Sequence, residues 1–386
     1  MKKLVINRED LKHNINKIRE IANEGKALDG KSNVKIIGVV KGNGYGLCLV
    51  PFANYLVMNG IGFLAVSTVE EALALRNAKV KAKILMLSAT ASKRDIDVMV
   101  QNNIIITIGS KEDLIVAEKV AQKRNVKIKA HLKIDTGFGR YGFCYDKKEE
   151  LVDLLKNLEN IEIEGTFSHF SLAFYKKDKY SKVQFNRFME VVDYLKQNGI
   201  NTGMLHICNS SGFLKYKDMR LDAVRIGSAF LGRLAIPNIY GLKKIGYLRT
   251  NITEIKMLPK GYNIGYSNSY KTKKETKVAI IPCGYKDGFN VREQRDMFRK
   301  RDKLRYIIRD IKDSFKDQSL YAEVTINFKD SKKCKVLGRI GMYHVAIDVT
   351  GLDAKVGDRV KLNVSPMFVE SKIRREYELC KDKNNT

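Results

Sequence analysis

Lys41 stands at the end of an apolar run, in Val39-Val40-Lys41-Gly42-Asn43-Gly44-Tyr45-Gly46. An amine so placed, with small residues leaving its approach open, could form a Schiff base with a carbonyl compound. A surface lysine at a loop entrance is the plainer alternative. Tyr45, four residues on, could reach the same mouth. A second cluster runs Lys133-Ile134-Asp135-Thr136-Gly137-Phe138-Gly139-Arg140. Its glycines permit a sharp turn, and Arg140 could fork onto a carboxylate or phosphate, or pair structurally with Asp135. Lys133, inside an apolar run, needs a partner anion to be tolerated there. His169, after Ser168, is a candidate to stack on a ring or a satisfied core residue. Asn209 and Ser210 follow His206-Ile207-Cys208 and read as a helix cap, whose backbone amides suit a phosphate. Arg225-Ile226-Gly227-Ser228 places a Gly-Ser turn after another apolar run. The five histidines lack HxxxH or HExxH spacing, and no metal is expected. Cys48, Cys144, Cys208, Cys283, Cys334 and Cys380 show no CxxC and read as reduced, mostly buried thiols.

These residues need elements that bring them to one place. Short β-branched runs at 34–40, 62–66, 83–88, 104–108, 127–133, 161–168, 204–208 and 222–227 predict eight strands. Amphipathic stretches such as 112–124 and 181–198 predict helices between them. Eight such repeats within about 230 residues imply an α/β fold, an N-terminal (β/α)8 barrel, whose active sites lie at the C-terminal ends of the strands. An open doubly wound sheet is the alternative, but no GxGxxG follows the first strand. Beyond about residue 240 the runs 276–281, 320–327, 334–337, 344–349 and 357–364 are short, β-rich and separated by turn residues. The expected division is a barrel over 1–238 and a predominantly β domain over 239–386, with residues 1–8 available to the β domain. A basic insertion at 291–318, carrying Arg292, Arg295, Arg299, Arg301 and Arg309 among others, reads as a helix with a solvated basic face.

With 386 residues and 44% hydrophobic composition, the chain can bury more than one core. Lys and Arg number 71 against 43 Asp and Glu, a net charge of +28. That excess admits a nucleic-acid partner, with 291–318 as the binding arm; the scatter of the lysines favours a solvated surface instead. No uninterrupted apolar stretch of about 18 residues predicts a membrane span, and the N-terminus lacks a secretory h-region. A cytoplasmic protein is expected.

Taken together and in this order, the motifs resemble those of the alanine racemase family of pyridoxal 5′-phosphate (PLP) enzymes. VVKGNGYG resembles its PLP-attachment motif, making Lys41 the Schiff-base lysine. KIDTGFGRYG resembles its strand-five motif, making Arg140 the arginine near PLP O3′ and the substrate, and Lys133 a lysine often carbamylated. HICNSSG and VRIG resemble the phosphate and pyridine-facing segments, with Arg225 toward the pyridine nitrogen and His169, Asn209, Ser210, Gly227 and Ser228 around the cofactor. In the β domain NIGYSNSY resembles the segment bearing the second catalytic base, Tyr266, supplied by the neighbouring subunit of a homodimer. PCGYKDGF places Tyr285 near the phosphate or entrance, and GRIGM places the Met342 backbone N–H at the substrate carboxylate. The resemblance implies L- to D-alanine racemisation, usually for cell-wall precursor supply, with serine or another small amino acid as the alternative substrate. Three departures bear on that choice. Tyr343 replaces the family's Asp, residues 291–318 are extra, and the terminal R-x-P-R-x-Y has no evident counterpart. The H-x-G-S and C-E-S-G-D segments of a fold-related decarboxylase family are missing from the chain.

Overall fold

The computed structural model describes residues 2–24, 33–294, 298–315, 319–326 and 330–379. Cys380, Asn327 and Arg295 of the sequence reading lie outside them, as do residues 316–318 of the insertion. The chain divides into two units, Arg8–Ile245 and Met1–Asn7 together with Gly246–Thr386.

A first strand, β1 (Lys3–Asn7), belongs to the second unit. Eight parallel strands then build the first: β2 (Lys35–Val39), β3 (Phe63–Val66), β4 (Lys83–Ala89), β5 (Ile105–Ile108), β6 (Ile128–Asp135), β7 (Ile161–Phe167), β8 (Met204–His206) and β9 (Ala223–Ile226). Each pairs with the next, and β9 pairs back onto β2 with Arg225 opposite Ile37, so the sheet closes into a (β/α)8 barrel. Strands buried on both faces read as near-continuous apolar runs, which is why they were visible in sequence. Ile37, Val39, Ala65, Leu85, Ile105 and Ala223 fill part of its interior.

The intervening helices start where side-chain oxygens can take up free amides. Ser110 Oγ accepts the Asp113 N–H at 3.1 Å while the Asp113 carboxylate accepts the Gly109 N–H at 2.9 Å, starting the helix Lys111–Arg124. Ser92 caps Lys93–Gln101 in the same way. The helix α1 (Arg8–Asn23) precedes β2 and buries Asn14, whose amide donates to the carbonyls of Phe230 and Lys243 at 2.9 and 2.7 Å. The Lys243 N–H returns a bond to Asn14 Oδ1 at 2.7 Å. This exchange holds residues 239–245 in the barrel unit, beyond the boundary expected near 238.

The second unit is built on a nine-stranded sheet, with a small two-stranded one pairing Asn263–Ile264 with Tyr270–Lys271. After β1 come β10 (Tyr247–Asn251), β11 (Glu254–Leu258), β12 (Thr276–Ile281), β13 (Tyr321–Ile326), β14 (Asp330–Leu337), β15 (Val345–Asp348), β16 (Arg359–Asn363) and β17 (Arg374–Glu378). Their spatial order is β11-β12-β15-β14-β13-β16-β10-β1-β17, antiparallel except for the last pair, where Ile6 lies opposite Tyr377. Ile281, Val324, Ile347, Val360 and Leu362 form its core. The insertion forms a helix, Lys300–Ser314, whose first turn is tied by Arg299 to Asp302 at 2.6 Å.

Candidate active site

A cavity of about 490 Å³ opens at the C-terminal ends of the barrel strands. Lys41, Tyr45, Arg140, His169, Asn209, Ser210, Arg225, Gly227 and Ser228 all line it, with Lys133 and Phe167. Nine expected cofactor contacts and the possible carbamylation site are therefore brought together from five strand ends. Tyr266, Tyr285 and Met342 belong to the other unit.

Lys41 owes its position to an unusual turn. Gly42, Asn43, Gly44, Tyr45 and Gly46 all have positive φ (64, 53, 66, 53 and 82°), one left-handed coil directly after the lysine. Glycine adopts this hand freely, whereas Asn43 and Tyr45 adopt it at a cost of about 1 kcal/mol each. Asn43 is held on both sides: its N–H donates to Glu71 at 3.0 Å, and its Oδ1 accepts the Leu49 N–H at 2.8 Å. Burial first, then the Arg140 charge, lowers the Lys41 pKa below the ordinary lysine range, favouring a neutral, nucleophilic amine. Tyr45 is pushed the other way, up to about 12 by burial, so its hydroxyl stays protonated. A methyl group built at Gly227 would stand 2.3 Å from that hydroxyl, so the position opposite Tyr45 has no room for a side chain.

Lys133 is buried beside the cavity. No anion pairs with this buried amine among the described residues. It sits instead 4.2 Å from the centre of the Phe167 ring. Burial, then the nearby Arg225 and Arg140 charges, drives its pKa well down, so it is tolerated by being neutral. Nor does Asp135 pair with the Arg140 guanidinium. Its carboxylate accepts backbone N–H groups of Gly137 and Phe138, both at 2.8 Å, and of Gly139 at 2.9 Å. Asp135 thus shapes the loop, and the Arg140 guanidinium lies 4.3 Å over the Phe138 ring, beside the cavity.

Arg225 is the hub of a buried network that the sequence did not reveal. It donates to the carbonyls of Ser168 and Ile207 at 2.6 and 3.0 Å, to His169 Nδ1 at 3.1 Å and to His206 Nδ1 at 2.6 Å. A guanidinium has no acceptor, so His206 Nδ1 accepts and its Nε2 carries the proton. That proton goes to His131 Nδ1 at 2.8 Å, which fixes the second tautomer as well. His206 also stacks on Phe167, with ring centres 4.9 Å apart. His131 and His206 lie 75 residues apart in the chain, and only the closed barrel joins them.

Burial and the Arg225 charge hold His131, His169 and His206 neutral, His131 down to about 3. In the unfolded chain they bind protons below the ordinary 6.5. Their contribution is complete above that value and is lost as the pH falls below it, for His131 down toward about 3. The expected loss is up to about 1.4 kcal/mol per pH unit for each imidazole. Denaturant unfolding at a series of pH values should show stability dropping steeply below about pH 6.5. A flat profile there would contradict neutral imidazoles.

Ser210 and its neighbours form a corner of hydroxyl and amide groups. The Ser210 hydroxyl accepts the Gly227 and Ala229 N–H groups at 3.1 and 3.3 Å, joining the two turns, which leaves its own proton to donate. Asn209 Oδ1 caps the short helix Ser210–Lys215 by accepting the Gly212 N–H at 3.0 Å. A neutral amine, two arginines, a neutral imidazole and a corner of hydroxyls and amides form a donor set that fits a phosphorylated aromatic aldehyde.

In the β unit Tyr266 is 69% exposed. A methyl built at Gly341 would lie 3.6 Å from its ring, and the Tyr285 N–H donates to the Gly341 carbonyl at 3.1 Å. Tyr266, Tyr285 and Met342 therefore share one exposed patch. Tyr343 joins it, with the Lys2 ammonium 5.4 Å from its ring centre and bonded to Asp287 at 2.7 Å. Sequence reading passed over Tyr377. Lys372-Ile373-Arg374-Arg375-Glu376-Tyr377 keeps the R-x-P-R-x-Y spacing with Lys for the first Arg and Arg for Pro, and β17 carries the tyrosine. Allowing those two exchanges would have found it.

Family models described as "Alanine racemase, N-terminal domain" and "Alanine racemase, C-terminal domain" match residues 6–234 and 245–374. An alanine racemase of Clostridium tetani is 34% identical over 334 residues, 85% of this chain and 79% of that protein. The solved alanine racemase of Clostridium difficile 630 superposes with a TM-score of 0.79 at 25% identity, covering 98% of this chain and 96% of that one. That of Bacillus anthracis, solved with bound L-Ala-P, gives 0.72 at 28% identity over 94% and 85%.

Proposed function

Because the chain belongs to the alanine racemase family, we propose that it interconverts L- and D-alanine by a two-base reaction in a site shared between two copies. The class, a PLP-dependent isomerase, is that of its relatives. The observation that carries the reading is the barrel cavity where Lys41 meets Arg140, Arg225 and the Ser210–Gly227 corner.

PLP, when bound, supplies an electron sink that makes the Cα–H bond of an attached amino acid acidic. Lys41 would hold it covalently, the Asn209–Ser210 and Gly227–Ser228 turns would take its phosphate, Tyr45 and His169 would be further contacts, and Tyr285 would join them as the family resemblance implies. Arg225, still cationic with its pKa lowered to about 10, would meet the pyridine nitrogen. A cation there opposes protonation of that nitrogen and restrains the side reactions a stronger sink would allow. Arg140 would orient the substrate carboxylate, with the Met342 N–H as the family resemblance implies. Lys41 would move the Cα proton on one face and Tyr266 of a second copy on the other, a role that requires each to come within hydrogen-bond reach. The exposed patch bearing Tyr266 supports such sharing.

Lys133 completes the site as a carbamate. Its neutral amine attacks carbon dioxide, forming an N–C bond and releasing a proton, and the anion falls between Arg140 and Arg225. Protein kept in 13C-bicarbonate should give one carbamate carbon resonance that Lys133→Met lacks. A resonance surviving in Lys133→Met would reject the assignment.

The direct test is chirality change across a panel of L-amino acids with PLP-loaded enzyme. D-alanine as the fastest product supports the reading. D-serine as the fastest would move the substrate and point to Tyr343, and inversion of none would overturn the reading.

A further inference from the structure

The inserted helix is turned inside out. Leu304, Ile307, Ile308 and Ile311 fall within an arc of about 100° on the helix, and they are 59, 56, 46 and 56% exposed. Phe315, just past the helix, extends the same stripe and is 86% exposed. Asp302 on the opposite side is buried, and Tyr306 and Asp313 are half-buried. An ordinary surface helix hides its apolar stripe and shows its charges. This one shows the stripe and hides two carboxylates.

Cations border the stripe. By helical spacing Arg301, Lys312 and Arg305 lie along one edge and Lys303 along the other, with Lys300 at its N-terminal end; all five are exposed. From Arg299 to Phe315 seven Lys and Arg face three Asp, and Asp302 accepts from Arg299 and Arg305. The free charge beside the apolar stripe is positive.

We propose that the helix Lys300–Ser314 is an interfacial anchor that lays its apolar stripe into an anionic lipid surface. Leu304, Ile307, Ile308 and Ile311 enter the acyl boundary while Arg301, Lys303 and Lys312 meet the headgroups. Charge selects this occupant over the same helix of a second copy, which would bring its own Arg301, Lys303 and Lys312 to the contact. The stripe selects it over nucleic acid, whose phosphates are met by cations and polar groups and would leave four large aliphatic side chains unused. No helix of the described residues is long and apolar enough to cross a membrane, so the anchor lies on the surface.

The test is flotation of PLP-loaded enzyme with vesicles of phosphatidylcholine alone or with about one-third phosphatidylglycerol. Wild type should float with the anionic vesicles and much less with the neutral ones. Ile307→Asn combined with Ile311→Asn, and separately Arg301→Glu combined with Lys312→Glu, should each lower partitioning about tenfold or more. All four positions are exposed, so turnover in solution should stay at the wild-type level. Failure of wild type to float, equal flotation with both vesicles, or flotation unchanged in either variant would overturn the proposal. So would a drop in oligomeric state of the Asn variant with vesicle binding retained, or duplex DNA binding lost only in the Glu variant and no lipid binding.

Discussion

Lys41→Ala should abolish racemisation and the visible absorbance of bound PLP together. The cavity contains a second amine, Lys133, but that one lies against the Phe167 ring between two arginines. Lys41 alone stands at a strand end, held there by the turn that follows it. Losing it removes both the covalent hold and one of two proton carriers, a fall in turnover of about 10⁴-fold or more. The pH course supplies an independent check. Covalent uptake of PLP by the apo chain requires the neutral amine, so its rate should rise with pH and level off below the ordinary lysine pKa, because Lys41 is shifted down. An unchanged absorbance band in Lys41→Ala would refute the assignment.

Tyr266→Phe should leave PLP bound and slow racemisation by about 10²- to 10⁴-fold, the usual worth of one acid–base group. A decisive form of the experiment mixes it with Lys41→Ala. If each site takes Lys41 from one copy and Tyr266 from the other, a mixed dimer has one intact site and one lacking both groups. Random reassortment makes half the dimers mixed, so two inactive proteins should regain about one quarter of wild-type activity. No recovery after demonstrated subunit exchange would mean that both groups come from the same chain, and a full-rate Tyr266→Phe would remove the tyrosine from the chemistry.

The barrel and most of its mouth were legible because each rests on local signals. Ile104–Ile108 could hardly be anything but a buried strand, and Gly42, Gly44 and Gly46 announce a turn that few other residues could make. What stayed hidden depends on partners distant in the chain. Asp135 and Arg140 looked like an ion pair, but nearby backbone N–H groups reach the carboxylate first. Lys133 seemed to demand an anion because sequence cannot weigh burial against ionisation. His131 and His206 are ordinary residues until the strands that carry them close into one ring. Arg374–Glu378 is too rich in charge to announce a strand, and its strand is apparent only once Lys3–Asn7 lies beside it. The basic insertion is a helix whose Arg301, Lys303 and Lys312 are solvated, as its charge implies; charge alone does not reveal that Leu304, Ile307, Ile308 and Ile311 share the exposed side.

The pairing of β1 with β10 and β17 also has a temporal meaning. Lys3 leaves the ribosome long before its partner Arg374. The sheet of the β unit therefore stays incomplete until Arg374–Glu378 has emerged, whereas every strand of the barrel is already available by Ile226. Domains generally fold as units as they emerge, and distant pairings close late. The barrel, with Lys41 placed before its turn, can thus mature during translation while the strand Lys3–Asn7 waits for its distant partner.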